Sequence, residues 1–192
     1  MADKKISSSF SNMVIILTII SLVSALALAF TYSVTKDAIA QVGVKRTMKA
    51  LEQVLPAFNN NPDNEKYTVE GEEFKDMLFY PAKKDGKLVG TAVQTFSTKG
   101  FAGNVMLMVG FDDKNKIVGI TVLKHNETPG LGTRMAEKFK DQFAGKDPAI
   151  YKMKVKKDGG DVDAITAATI SSRAFCDATE KAYQALLKGG KQ

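Results

Sequence analysis

The sequence predicts an α+β fold: an antiparallel sheet with packed helices, preceded by one N-terminal transmembrane helix. Three observations predict it. The run from Ile6 to Thr35 carries no charged residue. Short apolar runs in the middle of the chain are split by turn-length breaks, too short for the crossover that parallel pairing needs. The last segment repeats apolar residues at helical spacing after a cluster of small and hydroxylated residues. With 192 residues the chain has room for one domain of ordinary size plus an appendage. The expected division is a tail and transmembrane helix at 1–35, a connecting helix and loop at 36–75, and a ligand-binding domain at 76–192.

The apolar run has its core at Met13 to Phe30. About 20 apolar residues cross a bilayer as a helix, and this run with its flanks is long enough. A cleaved signal peptide is the rival reading, with Lys4 and Lys5 as a positive start and Ala25-Leu26-Ala27 or Ala27-Leu28-Ala29 as a cleavage site. The run exceeds the usual signal core of about 7–15 residues, which favours a retained anchor. Lys4 and Lys5 before the span favour a body outside the cytoplasm, while Lys36, Lys45 and Arg46 after it weaken that inference.

Thr35 to Leu55 reads as a helix, with Ala38, Ile39, Val42, Met48, Leu51 and Val54 on one side. Pro56 ends it, and Asn59 to Asn64 is a polar loop. Strands are expected at Met77 to Tyr80, Leu88 to Phe96, Val105 to Phe111 and Ile117 to Leu123. Asp85-Gly86 and Asp112 to Lys116 supply the turns. A helix is expected at Arg134 to Phe143, with Met135, Phe139 and Phe143 on one side, and a further strand at Ile150 to Val155. Gly159-Gly160 breaks the chain before a final helix carrying Phe175, Ala178, Ala182, Tyr183 and Leu186.

Composition removes several function classes. Cys176 is the single cysteine and His125 the single histidine, so neither a disulfide, a zinc site nor an iron–sulfur cluster is expected, and no metal ligands are assigned. Cys176 reads as a small buried hydrophobe in the last helix, and His125 as structural or rim-exposed. The net charge of +6 comes from Lys scattered among acids, without an aromatic-interleaved basic patch, so no nucleic-acid partner is expected. A surface near anionic membrane lipid accounts for it. No catalytic acid/base pair or activated nucleophile stands out.

Two segments carry candidate chemistry. In Asp163 to Ser172, small and hydroxylated residues give way to helical periodicity, with Ser171 or Ser172 as the expected N-cap and Thr169 just before the helix. Free N–H groups and the helix dipole favour a phosphate there; a capped helix after a loop is the plainer alternative. In His125 to Gly132, Thr128-Pro129-Gly130 is turn chemistry, and a strand-to-helix connection with two glycines explains it equally well. Lys99 to Asn104 is a glycine-rich turn.

The residues Asp163-x-x-Thr166-x-Ala168-Thr169 resemble the flavinylation motif of FMN-binding proteins in the Rnf and Nqr respiratory complexes, the RnfG/NqrC family. Glu127-Thr128-Pro129-Gly130-Leu131-Gly132 resembles a hallmark of the same family, upstream at a similar spacing, and Gly100-Phe101-Ala102-Gly103 resembles its Gly-aromatic-x-Gly loop. The resemblance covers Met77 to Leu187 plus the span, and the short body is most similar to the RnfG members. One departure is Ala167, where the family often has Gly; its Cβ disfavours φ > 0.

The resemblance implies that residues 76–192 form an FMN-binding domain. It implies covalent FMN, joined through a phosphoester to Thr169 by a separate flavin transferase that recognises Asp163 and Thr166. Glu127, Thr128, Leu131, Gly132, Thr133, Thr166, Ala167 and Ala168 would bind the cofactor beside Thr169. The function implied is electron relay in a bacterial inner-membrane complex that oxidises ferredoxin, reduces NAD⁺ and moves Na⁺ or H⁺. Its partners would be the other membrane and iron–sulfur subunits, with the soluble domain on the periplasmic side and no stand-alone catalysis. Alternatives are the equivalent NqrC member of the sodium-translocating NADH:quinone oxidoreductase and a non-redox membrane-anchored binding domain. A pilin-like assembly protein ranks last, since the span lacks a processed pilin start.

Overall fold

The structure, a computed structural model, describes residues 9–69, 71 and 74–189. Lys4 and Lys5 of the expected N-terminal tail lie outside the described residues. The chain divides into two compact units, Met1–Lys45 and Arg46–Gln192.

Helix α1 runs unbroken over Phe10–Val54. Its apolar residues from Met13 to Phe30 are exposed, as a helix surrounded by lipid requires, and it is long and apolar enough to cross a membrane. Thr18, Thr31 and Thr35 return their hydroxyls to carbonyls four residues back (2.8 Å each), which satisfies them without water.

In the second unit, β1 (Leu78–Lys84), β2 (Lys87–Gly100), β3 (Gly103–Asp112) and β4 (Ile117–Lys124) form an antiparallel meander in the order β1-β2-β3-β4. The turns are where expected: Asp85-Gly86 with φ of 52° and 78°, and Asn115 with φ of 62°. The strands run longer than their apolar cores because ladder pairing continues through polar residues to the turns, down to Gly100↔Gly103.

Alternation along the strands separates two cores. One face sends Phe79, Val93, Val105, Leu107, Val109 and Phe111 beneath helix α2 (Thr169–Gly189). Ala174, Ala178, Ala182 and Ala185 line the buried side of α2, so the helix lies close to the sheet. Thr95 Oγ1 donates to the Ala178 carbonyl at 3.0 Å. The other face sends Tyr80, Ala82, Ala92 and Met108 against Leu51, Val54 and Leu55 at the end of α1. A Cβ at Gly110 would overlap the Val54 carbonyl, so that position admits only glycine.

Two expected elements differ. The helix at Arg134 to Phe143 is instead two 3₁₀ segments, Gly132–Ala136 and Lys138–Phe143, broken at Glu137, whose ψ of −136° is not helical. Met135, Phe139 and Phe143 are still buried, because the break at Glu137 reorients the chain between the two segments and all three reach the core beneath α2. Phe139 and Phe143 each meet the Phe175 ring at 5.2 Å, tying this segment to α2. The expected strand at Ile150 to Val155 does not form. Ile150 is 81% exposed, and Val155 makes only an isolated bridge to Val162. Met153 and Val155 are buried by the core rather than by a neighbouring strand.

Candidate functional site

Three segments meet at the N-terminal end of α2 and enclose a cleft of about 400 Å³. That lies within the ~300–1,000 Å³ of small-molecule and cofactor sites. The β2–β3 hairpin contributes Phe101. The loop after β4 contributes Glu127, Thr128, Leu131 and Gly132. The start of α2 contributes Ala167, Ala168, Thr169, Ile170 and Ser171.

The second segment is a self-stitched turn. The Leu131 and Thr133 N–H groups donate to the Thr128 carbonyl at 3.2 and 3.4 Å. The Gly130 N–H donates to Thr133 Oγ1 at 3.0 Å, and Gly130 has φ of 74°. Leu131 is left 40% exposed at the cleft. Gly132 has no room for a side chain: its Cβ would stand 2.6 Å from Ser171 Oγ and 2.7 Å from Glu127 Oε2. The Glu127 N–H donates to His125 Nδ1 at 3.2 Å, which gives His125 a structural place.

At the third segment Ala167 takes the left-handed conformation, φ 62°, and swings the chain into the helix. The Ser172 N–H donates to the Ala168 carbonyl at 3.0 Å, the first helical bond. The N–H groups of Thr169, Ile170 and Ser171 precede that bond and have no acceptor within the helix. They and the helix dipole favour an anion beside the Thr169 hydroxyl.

The serines are not caps. Thr169 is the first helical residue, and Ser171 and Ser172 lie inside the first turn, facing inward. Ser172 Oγ accepts from the Ile165 N–H at 2.9 Å and donates to the Ala168 carbonyl at 3.0 Å, fixing the preceding loop. Ser171 Oγ donates to Glu127 Oε2 at 2.6 Å.

Of the residues expected at the cofactor, Glu127, Thr128, Leu131, Gly132, Ala167, Ala168 and Thr169 line this cleft. Thr133 instead holds the turn through the Gly130 N–H. Thr166 faces a neighbouring groove of about 770 Å³ that it shares with Asp163 and the 3₁₀ segments. Gln142 pins Asp163 there through both backbone groups, at 2.9 and 3.1 Å. Phe101, Ile170 and Ser171 also line the cleft and are not among the expected cofactor-binding residues. Phe101 was signalled only by its glycine-flanked turn, and the inward aim of Ser171 has no local signal.

Among the described residues no group of three or more His, Cys, Asp or Glu side chains could hold a metal. The cleft fits a phosphorylated planar cofactor. The start of α2 brings free amides and the Thr169 hydroxyl to the cleft, Phe101, Leu131 and Ile170 offer exposed apolar surface, and Gly132 leaves room for Glu127 and Ser171 to meet in its wall.

Comparison with known proteins agrees with that reading. Residues 100–184 match the FMN-binding domain family, and residues 1–54 match the RnfG N-terminal region. The class is thus an FMN-binding domain following an apolar N-terminal helix. The G subunit of the Na(+)-translocating ferredoxin:NAD(+) oxidoreductase complex of Acetobacterium woodii is 37% identical, covering 88% of each chain. The G subunit of the ion-translocating oxidoreductase complex of Haemophilus influenzae (strain PittEE) is 32% identical, covering 97% of this chain and 93% of that one. A crystal structure of Shewanella oneidensis NqrC is 22% identical, covering 64% of this chain and 66% of that one, with a TM-score of 0.49. The chain belongs to the RnfG family of ion-translocating oxidoreductase complexes.

Proposed function

We propose that this chain is the covalent-FMN electron carrier of a membrane-bound ferredoxin:NAD oxidoreductase complex, with the flavin phosphate esterified to Thr169. One observation carries the reading: the Thr169 hydroxyl stands at the first turn of α2, among unpaired amides, at the wall of a cofactor-sized cleft. Bound there, FMN supplies the redox chemistry, and the protein supplies position and electrostatics.

The residues divide the work. The Thr169, Ile170 and Ser171 amides hold the phosphate. Leu131 and Phe101 cover the ring and exclude water from it. Glu127, Thr128, Gly132, Ala167 and Ala168 complete the wall, and Thr133 keeps the Leu131 turn closed. Thr166 and Asp163, turned to the neighbouring groove, are where a separate flavin transferase reads the motif. Residues 76–192 serve as the flavin-bearing domain, 1–35 as tail and anchor, and 36–75 as the link between them. The anchor confines the domain beside the other membrane and iron–sulfur subunits and so raises its effective concentration there. The body lies on the periplasmic side of the bacterial inner membrane, supported by Lys4 and Lys5 before the span. The chain has no stand-alone catalysis. The name of the Acetobacterium woodii relative supports the ferredoxin and NAD⁺ assignment over a quinone-reducing complex.

Intact mass of the chain extracted from its native membrane tests this. The expected result is the polypeptide mass plus one FMN, with flavin absorbance that survives denaturation. Thr169→Ala removes both. A Thr169→Ala protein that keeps flavin through denaturation overturns the assignment.

A further inference from the structure

Glu127 is a carboxylate with only 4% of its surface exposed, and Ser171 a hydroxyl with only 2%. Both carboxylate oxygens are engaged. Oε2 accepts from Ser171 Oγ at 2.6 Å, and Oε1 accepts from the Ala102 N–H at 3.2 Å. One side chain therefore joins all three walls of the cleft: its own loop, the β2–β3 hairpin and the first turn of α2. Two glycines make space for it. A Cβ at Gly100 would stand 2.7 Å from Oε1, and one at Gly132 would stand 2.7 Å from Oε2.

We propose that the Glu127–Ser171 bond is a clasp that positions the Thr169 hydroxyl and the α2 amides against the Phe101 and Leu131 walls for flavin attachment. The inference rests on Thr169 as the FMN-bearing residue. Ser171 is a positioning residue, two places beyond Thr169 on the same helical turn, with its side chain directed away from solvent. A short hydroxyl-to-carboxylate bond is among the stronger and more directional contacts available. Losing it frees the first turn of α2 to shift relative to the other two walls. Misplacement of a reacting group by about 1 Å costs on the order of a hundredfold in rate.

Ser171→Ala is the mild variant, since alanine is the better helix former and Glu127 keeps its Ala102 partner. Glu127→Gln keeps the shape but puts an amide NH₂ opposite a donor on one side. The measurement is the initial rate of FMN incorporation into the full-length chain, given a flavin transferase and its flavin donor and followed by intact mass. The visible circular dichroism of the attached flavin is recorded alongside, and the melting temperature of each apo-protein confirms folding. Ser171→Ala is expected to incorporate FMN about tenfold more slowly and to shift the flavin dichroism, with Glu127→Gln in the same direction. The double variant is expected to be no worse than the weaker single one. A clasp that only stabilised the fold would lower the melting temperature and leave rate and dichroism unchanged, and that result overturns the proposal. Wild-type and Thr169→Ala chains separate the two failures. Thr169→Ala that still accepts FMN covalently overturns the Thr169 assignment, whereas normal loading of folded Ser171→Ala, with Thr169→Ala unloaded, overturns the clasp alone.

Discussion

At the scale of the residue, Ala167 is the point of tension. It holds φ of 62° with a Cβ, in a region that costs a non-glycine residue roughly 1–2 kcal/mol. The conformation is imposed from both sides. Ile165 is tied to Ser172 Oγ, and the Ala168 N–H donates to the Ile165 carbonyl at 3.0 Å, so residues 165–168 close a turn around Ala167. Glycine at 167 removes the steric cost but adds freedom to the unfolded chain, which recovers less than the full amount. Ala167→Gly is expected to raise stability by about 0.5–1 kcal/mol, or roughly 1–4 °C in Tm for a chain of this size. Thermal melting of detergent-solubilised protein measures it. A lower Tm would mean that the left-handed turn is relaxed in solution.

At the scale of the element, α2 is pinned to β2 by Asp177. Its Oδ2 accepts from Ser97 Oγ at 2.7 Å and its Oδ1 from Lys99 Nζ at 2.6 Å, with Lys181 Nζ at 3.0 Å. Burial pushes this carboxyl up, but Lys99, Ser97 and Lys181 together outweigh burial and hold it below the usual carboxylate range. A carboxyl lowered by folding stabilises fully above its unfolded value of about 3.9 and loses that contribution as pH falls through its lower folded value. Asp177→Asn is therefore expected to unfold at lower urea than wild type at pH 7, with the gap closing as pH falls below about 4. Urea midpoints across that range decide it, and a gap that widens on acidification contradicts the sign. Elements differ in how legible they were. The strands could be read because each is bounded by a turn whose chemistry is local, such as Asp85-Gly86. The last helix could be read because Ala178, Ala182 and Leu186 repeat at its period. The 3₁₀ segments could not, because Met135, Phe139 and Phe143 fit an α-helix equally well, and the break at Glu137 has no side-chain signature. Ile150 to Val155 looked like a strand because composition cannot show whether a pairing edge is available. Within the site, Thr169 and the turn at Gly130 were readable from small residues and glycines. The inward serines were not: Ser171 finds its partner 44 residues away, and only the fold brings Glu127 to it.

At the scale of the whole molecule, the end of α1 serves the second unit directly. Arg46–Gln192 is a compact unit, and the part of α1 within it supplies Leu51 and Val54, which with Leu55 cover Tyr80, Ala82, Ala92 and Met108. Leu51 and Val54 are wholly buried, and each contributes about 1.5–3 kcal/mol by leaving water. Small-domain stabilities are only about 5–15 kcal/mol, so this short stretch of helix is a large part of what the sheet has. Where the anchor is cut therefore decides the outcome. A chain beginning at Arg46 loses the exposed apolar stretch and keeps the covering residues, and it is expected to be monomeric without detergent. A chain beginning at Pro56 loses Leu51, Val54 and Leu55, leaving an apolar sheet face open to water, and it is expected to associate and to unfold at markedly lower urea. Light scattering after size-exclusion chromatography, with urea midpoints of both fragments, compares them. Equal behaviour of the two would show that the α1 terminus merely lies on the sheet. Unequal behaviour means that the last turns of α1, those within Arg46–Gln192, are part of the core of the sheet they cover, so the fold of that unit begins before the first strand.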